Sequence, residues 1–516
     1  MKYRIVLASV GAVVAFASGC QSSGPRSPDL VAAEPPGASL GQEGPDRTRL
    51  PLAREIPEWT PPAVTTWTMA NGAGVWFLRQ DQAPLASVTL VLPRGSSTDP
   101  VTKAGLTALT ADLLDEGAGE RSALQVSEAF QRLATEYEAY TARDGVMLSM
   151  HLLADQLRPS LELLADVVRR PQLSVAEFDR RRDMMIAQSL AAQDNLDAAL
   201  DLAADRALFG DGYGGLPVHG VPSSLRAIHP NDVKKHYDGI VQPQGATFVV
   251  VGALDEQTVK GVLDHTFGDW SGAPSAEARP LKELSPPQGI YLIDFPGSTQ
   301  SSVALVQRAE GAAAEDYFPA AVFNWVLGGA FTSRLNMNLR ESKGYTYGAR
   351  SGFTRYEKVG VFGMFAQVKA ESTRASLDEM FREVREIAGP QPLTEAELEA
   401  ATGAMLLGFP GEFEHLASVG QRLAQLRLTG RPANWYRDYA DALTAVTLEA
   451  ANRSAESHAD ERQFVAVIAG PLQTVEPSLE GLTMQRFYCD REGACEGDRS
   501  SLPASGSQSD PVRVPL

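Results

Sequence analysis

The sequence predicts an α+β protein built from two domains of the same fold. Three observations point there. The segment ASVTLV at 86–91 returns as SSVALV at 301–306, 215 positions on. The segment LRAIHPNDVKKHYDGIVQPQGATFVVVGALD at 225–255 returns as LTAVTLEAANRSAESHADERQFVAVIAGPLQ at 443–473, 218 positions on. Each copy reads as a strand, helices, then a helix, a turn and a Val-rich strand ending in Gly. Chance can match two apolar strands, but it does not keep order and spacing together.

Length and composition agree with this. A chain of 516 residues, 44% apolar and 21% charged, can build two real cores. Its net charge of −18 is spread along the chain without a basic stripe, which argues against nucleic acid as a partner. The same acidity argues against docking on anionic lipid through protein charge.

Residues 1–20 read as an address. Lys2 and Arg4 open it, Ile5 to Ala17 is an apolar run too short to span a bilayer, and Ala17-Ser18-Gly19-Cys20 closes it. That ending resembles the lipobox of bacterial lipoproteins, with Ala17 in place of the usual Leu, and it implies acylation at Cys20. Gln21 is not the aspartate associated with inner-membrane retention, so the expected location is the cell envelope, facing the periplasm from the outer membrane. Residues 21–61, rich in Pro, Gly and Ser, read as an unstructured tether. A first domain is expected over 62–272, a Pro-containing linker over 273–288, a second domain over 289–480 and an unstructured tail over 481–516. The remaining cysteines, Cys489 and Cys495, are either a short disulfide loop or two free thiols.

With these parts in order, a resemblance becomes specific. The opening TMANGAGVWFLRQDQAPLASVTLVLPRGSSTDP is similar to the start of the pitrilysin/insulinase peptidases, which include mitochondrial processing peptidase. The match continues through GLTALTADLLDEG, FGDGYGGLPVHG, DFPGSTQSSVALV and LGGAFTSRLNMNLRESKGYTYG to the C-terminal repeat. It spans roughly residues 62 to 480 and implies two homologous domains, each an antiparallel sheet packed with helices, forming half of a peptidase clamshell.

The family's chemistry uses an inverted motif, His-x-x-Glu-His, and a Glu about 76 residues later. Aligned on Gly105 and Gly117, the first His position holds Ala108, the base position Ala111, the second His position Asp112 and the distant Glu position Gln188. Alanine offers no lone pair, and one carboxylate with one amide is a sparse set for zinc. The seven histidines contain no i, i+3 or i, i+4 pair. The resemblance therefore implies a chain without catalytic residues or zinc of its own. In LRESKGYTYG, Arg340 and Tyr347 match an Arg and a Tyr that, in the family, reach the metal site from the other half of the clamshell, where both can donate to a scissile carbonyl and its oxyanion.

The expected function is a non-catalytic, substrate-binding subunit whose related partner carries an intact His-x-x-Glu-His and the zinc. The substrate is expected to be a peptide or unfolded protein. Two alternatives stay open: a proteolytically inert scaffold or peptide-binding protein of the envelope, and a divergent metallopeptidase using Asp112, Asp115 and Glu116.

Overall fold

A computed structural model of the protein describes residues 59–282 and 289–497. The signal segment, Cys20, nearly all of the expected tether and the chain beyond residue 497 lie outside the described residues.

Two mixed sheets carry the fold. The first contains β1 (Thr65–Thr68), β2 (Gly74–Arg79), β3 (Leu85–Leu92), β4 (Glu136–Thr141), β5 (Val146–Leu153) and β6 (Thr247–Gly252), in the order β1-β2-β6-β3-β5-β4. The second contains β7 (Gly289–Asp294), β8 (Gln300–Glu310), β9 (Thr346–Arg355), β10 (Val359–Lys369), β11 (Val465–Gly470), β12 (Gln485–Cys489) and β13 (Cys495–Glu496), in the order β13-β12-β7-β11-β8-β10-β9. Stripped of their outer strands, the two orders are the same. The register repeats too: Ser87 faces Val251 across β3–β6, and Ser302 faces Ala469 across β8–β11. Those partners are separated by the same 215 and 218 positions that relate the sequence repeats.

Pairing is antiparallel throughout except β2–β6 in the first sheet and β7–β11 and β7–β12 in the second. The parallel pairs explain the unbroken apolar runs FVVVG and VAVIAG, because both faces of β6 and β11 are covered.

How they are covered ties the halves together. One face of the first sheet packs on Leu161, Leu164 and Val168 of the helix Leu157–Arg169 and on Val259 and Leu263 of the helix Glu256–Phe267. Its other face, with Leu78, Val91, Val249 and Val251, packs on Val419, Leu423 and Leu426 of the helix Leu416–Leu428, which belongs to the second half. Reciprocally, Ile293, Ala304, Val306 and Val467 of the second sheet pack on Leu200, Ala203 and Ala207 of the helix Leu196–Phe209, from the first half. Small residues permit the close approach: a Cβ on Gly420 would meet Ser87 Oγ at 2.8 Å. Each half lends a helix to the other's sheet.

A polar clasp sits at the same boundary. Arg143, between β4 and β5, is 5% exposed and donates to Asp205 on the 196–209 helix. Its guanidinium lies 4.7 Å from the ring of Tyr356 in the β9–β10 turn, and Asp144 Oδ2 accepts the Glu357 N–H at 2.9 Å.

Three expected boundaries shift. Structure starts by Trp59 rather than after 61, because its indole packs 5.5 Å from Phe409 and 5.2 Å from Phe413. The part of the linker over 273–282 has no helix or strand but is strapped down: Arg279 N donates to Ser97 O at 2.8 Å, and Ser275 N to Gly239 O at 3.1 Å. The tail expected from 481 is ordered well beyond that point. Phe487 stacks on Tyr291 at 4.7 Å, Cys489 pairs with Cys495, and Arg491 reaches Asp194 at 2.9 Å. A sheet edge that accepts β12 and an aromatic partner for Phe487 supply burial that local composition does not reveal.

Candidate functional site

The GLTALTADLLDEG segment begins at Gly105, whose φ of +92° is a left-handed conformation. A Cβ there would meet Gly220 and the His219 carbonyl at 2.9 Å. From it rises a short helix, Leu106–Asp112. Its first turn is held by a buried carboxylate. Asp99 Oδ2 accepts Gly105 N–H at 2.9 Å, and Oδ1 accepts Thr107 N–H at 2.9 Å and the Thr107 hydroxyl at 2.5 Å. Thr107 Oγ1 also bonds His236 Nε2 at 2.8 Å. Burial pushes the Asp99 carboxyl up to about 7 and the His236 imidazole down to about 4. The network lies outside the motif that singles out this helix, and nothing in the spacing of Asp99 and His236 announces it.

The four positions that correspond to ligands and base do not converge. Ala108 packs among Leu109, Phe178 and Met185, and Ala111 lies in the first-sheet core near Leu114. Both are 1% exposed. Gln188 lies on the helix Val175–Ala192 with its side chain exposed. Asp112 does face this helix, but what it meets is Arg181, whose Nη2 lies 2.7 Å from Asp112 Oδ2. Gln188 is seven residues past Arg181, about 10 Å further along the axis.

A second guanidinium completes the cluster. Arg180 Nη2 lies 2.5 Å from Glu116 Oε2, and Arg181 Nε lies 3.6 Å from Glu116 Oε1. Burial raises the Asp112 carboxyl, with Arg181 and His219 holding it down; burial and Glu116 push Asp115 up to about 6. Among the described residues there is no group of three or more His, Cys, Asp or Glu able to hold a metal ion. The family's zinc does not fit: two of its ligand positions are occupied by core packing or solvent, and Asp112 already has a fixed cation against it. The divergent metal site around Asp112, Asp115 and Glu116 meets the same objection, because Arg181 is paired with Asp112 and Arg180 with Glu116. The protein is accordingly expected to purify without stoichiometric zinc and to cleave no peptide in a chelator-sensitive way. One tightly held zinc per chain, released by Asp112→Ala, would contradict this.

The second half presents a different surface. Arg340 lies on the π-helical turn Met337–Ser342, its guanidinium 4.6 Å from the Phe331 ring and its Nε 3.3 Å from Glu341 Oε1. Such wide turns recur at functional positions. Gly344, at φ +65°, reverses the chain into β9, the edge strand of its sheet. Tyr347 stands near the start of β9 and is 91% exposed. The frame beneath is rigid: Asn336 Oδ1 accepts Ala349 N–H at 3.1 Å, and Asn338 Nδ2 donates to Glu379 and Glu383 at 2.9 and 2.7 Å. Gly328 serves this frame, since a Cβ there would meet Ser351 N at 2.4 Å. The Tyr347 phenol is thus held on a firm base and open to solvent, with the part-exposed Arg340 guanidinium against Phe331 and Glu341 on the turn before it.

Comparison with known proteins gives this geometry its context. The pattern of the insulinase family (Peptidase family M16) matches residues 75–217, and that of the peptidase M16 inactive domain matches 227–405. An uncharacterized zinc protease of Mycobacterium leprae is 25% identical over 388 residues, covering 75% of this chain and 87% of the relative. The crystal structure of a peptidase M16 inactive domain from Pseudomonas fluorescens superposes with a TM-score of 0.73 at 25% identity, over 79% of this chain and 98% of that one. The first half of the periplasmic protease PqqL from Escherichia coli shares the fold, with a TM-score of 0.68 at 14% identity over 81% of this chain and 95% of that one. Two sheets of one topology, a motif helix without ligands and these matches lead to one conclusion: the chain belongs to the M16 (pitrilysin/insulinase) peptidase family, as a homologue of the inactive type.

Proposed function

We propose that this chain is the non-catalytic, substrate-binding subunit of a heterodimeric M16 zinc metalloprotease of the bacterial cell envelope. Its partner is a related chain with an intact His-x-x-Glu-His, and its contribution is Arg340 and Tyr347, offered to the partner's zinc site for peptide-bond hydrolysis. One observation carries the reading. Ala108 and Ala111 are packed in the core, Gln188 faces solvent and Asp112 is paired with Arg181, whereas Tyr347 is 91% exposed on a braced edge strand and Arg340 lies on the turn before it. A buried core does not need a phenol in that position, and a chamber formed with another chain has a use for one.

The likeness to one half of a periplasmic protease supports a paired arrangement. A pull-down with the mature chain is expected to recover an M16 relative bearing the zinc motif, and the mixture is expected to hydrolyse unfolded protein. Recovery of a relative that is fully active alone would instead favour the inert scaffold.

The envelope assignment rests on Lys2, Arg4, the apolar run and Cys20. A single acyl chain binds a membrane only marginally, whereas several anchor firmly. Wild-type protein is expected in the membrane fraction, and Cys20→Ala is expected to yield soluble protein or uncleaved precursor. Mature-sized Cys20→Ala protein still recovered with membranes would rule out lipid anchoring.

A further inference from the structure

A second feature of this chain has no part in the reaction outlined above. Near the 317–324 helix lies a cavity of about 420 Å³, within the size range of small-molecule sites. Its walls are aromatic, with Tyr317, Trp325, Phe353, Trp435 and Tyr436. Two cations, Arg355 and Arg431, line it as well.

Arg431 is sandwiched, its guanidinium carbon 4.0 Å from the ring centroids of both Tyr317 and Trp435. Its Nε donates to the Ala312 carbonyl at 3.0 Å. Arg355 lies 4.5 Å from the Phe353 ring and 5.5 Å from that of Tyr317. Its Nη1 donates to the Glu310 carbonyl at 2.9 Å, and its Nη2 is buried without a hydrogen-bond partner. Both guanidinium groups are thus satisfied mainly by neutral carbonyls. Asp316, whose charge reaches Arg355, accepts from Ser454 and His458 at Oδ2 and has a buried Oδ1 without a hydrogen-bond partner.

Two half-buried guanidiniums held against rings line this cavity, and among the described residues no carboxylate hydrogen-bonds to either, so the cavity suits an anion. A carboxylate matches the forked donors of arginine, and aromatic walls select a flat or branched apolar body attached to it. We infer that this cavity binds a carboxylate bearing an aromatic group, either a free aromatic acid or the C-terminal residue of a peptide. The residues involved lie on this chain alone. The site depends on neither a zinc-bearing partner nor the Arg340–Tyr347 pair.

Burial lowers the pKa of both arginines, with Asp316 acting against it at Arg355. Binding is therefore expected to weaken with added salt less than a surface ion pair would.

The test is calorimetric titration of the mature chain with N-acetyl-phenylalanine and with its neutral amide. The acid is expected to bind with a Kd below about 1 mM, and the amide at least about tenfold more weakly. Arg355→Gln and Arg431→Gln should each weaken the acid about tenfold or more. Because either change can disturb the ring stack, Gln425→Trp serves as a second probe. Gln425 is an exposed lining residue, and a bulky ring there should block binding without altering the unfolding transition. A peptide ending in phenylalanine, as free acid and as amide, separates the two sources. If its free acid also binds, the ligand is a peptide terminus; if only N-acetyl-phenylalanine binds, it is a free acid, and either result upholds the site. Equal affinity for acid and amide, no binding of the acid, or wild-type binding by all three variants would overturn it and leave Arg355 as a structural neighbour of Asp316.

Discussion

Arg340→Ala and Tyr347→Phe are each expected to leave the two-chain complex assembled and to cut its turnover by about a hundred- to a thousandfold, the usual cost of losing one oxyanion donor. The reason lies in where these groups stand. Neither is part of a core: Tyr347 is 91% exposed, and the Arg340 guanidinium rests on the exposed Phe331 ring, with Glu341 its ion-pair partner. Removing them should not disturb β9, which is fixed by Asn336 and by its pairing with β10. Losses should fall in kcat with a smaller change in KM, because the interaction forms only as charge develops on the substrate oxygen. Exposed Arg79, paired with Asp81 on the first sheet, provides a control whose removal should change neither. Complexes of either variant that cleave at the wild-type rate would make this chain a scaffold.

Arg143→Met is expected to cost stability, by about 3 kcal/mol, because it leaves the half-buried Asp205 carboxylate without its cation. The loss is read from the denaturant midpoint at constant m-value. Its pH dependence gives a second signature. Burial raises the Asp205 carboxyl and Arg143 holds it down. Without Arg143 the folded-state pKa rises further above the unfolded value, so stability present in acid is lost as pH rises through it. The deficit should be larger near about pH 8 than near about pH 5. Arg143→Met combined with Asp205→Leu should recover much of the loss, since an apolar pair can replace a buried ion pair. A double variant no better than the single one would mean that the Tyr356 contact, not the charge pair, carries the clasp.

The duplication was legible because it is written in local pattern: two Val-rich strands, each ending in Gly, separated by nearly constant spacing. That His and Glu do not stand at the three ligand positions, Ala108, Asp112 and Gln188, or at the base position, Ala111, is a matter of residue identity alone. What could not be read are the partners that distance in sequence hides. Arg181 sits in RRRDMMIAQ as one of three similar arginines, and only the packing of its helix against Asp112 selects it. Asp99 and His236 meet through Thr107 across more than a hundred residues. The β12 strand looks unstructured by composition because its stability comes from Tyr291 and the β7 edge, not from its own residues.

The traded helices have a consequence for motion. Since the 416–428 helix completes the first sheet and the 196–209 helix completes the second, swinging the halves apart would bare an apolar face on each at once. A hinge inside this chain would therefore have to break both cores. These two halves should move as a single rigid unit. Expressed separately, residues 59–282 or 289–497 should be recovered as aggregate, and should become soluble together only when the missing helix is supplied by the other piece.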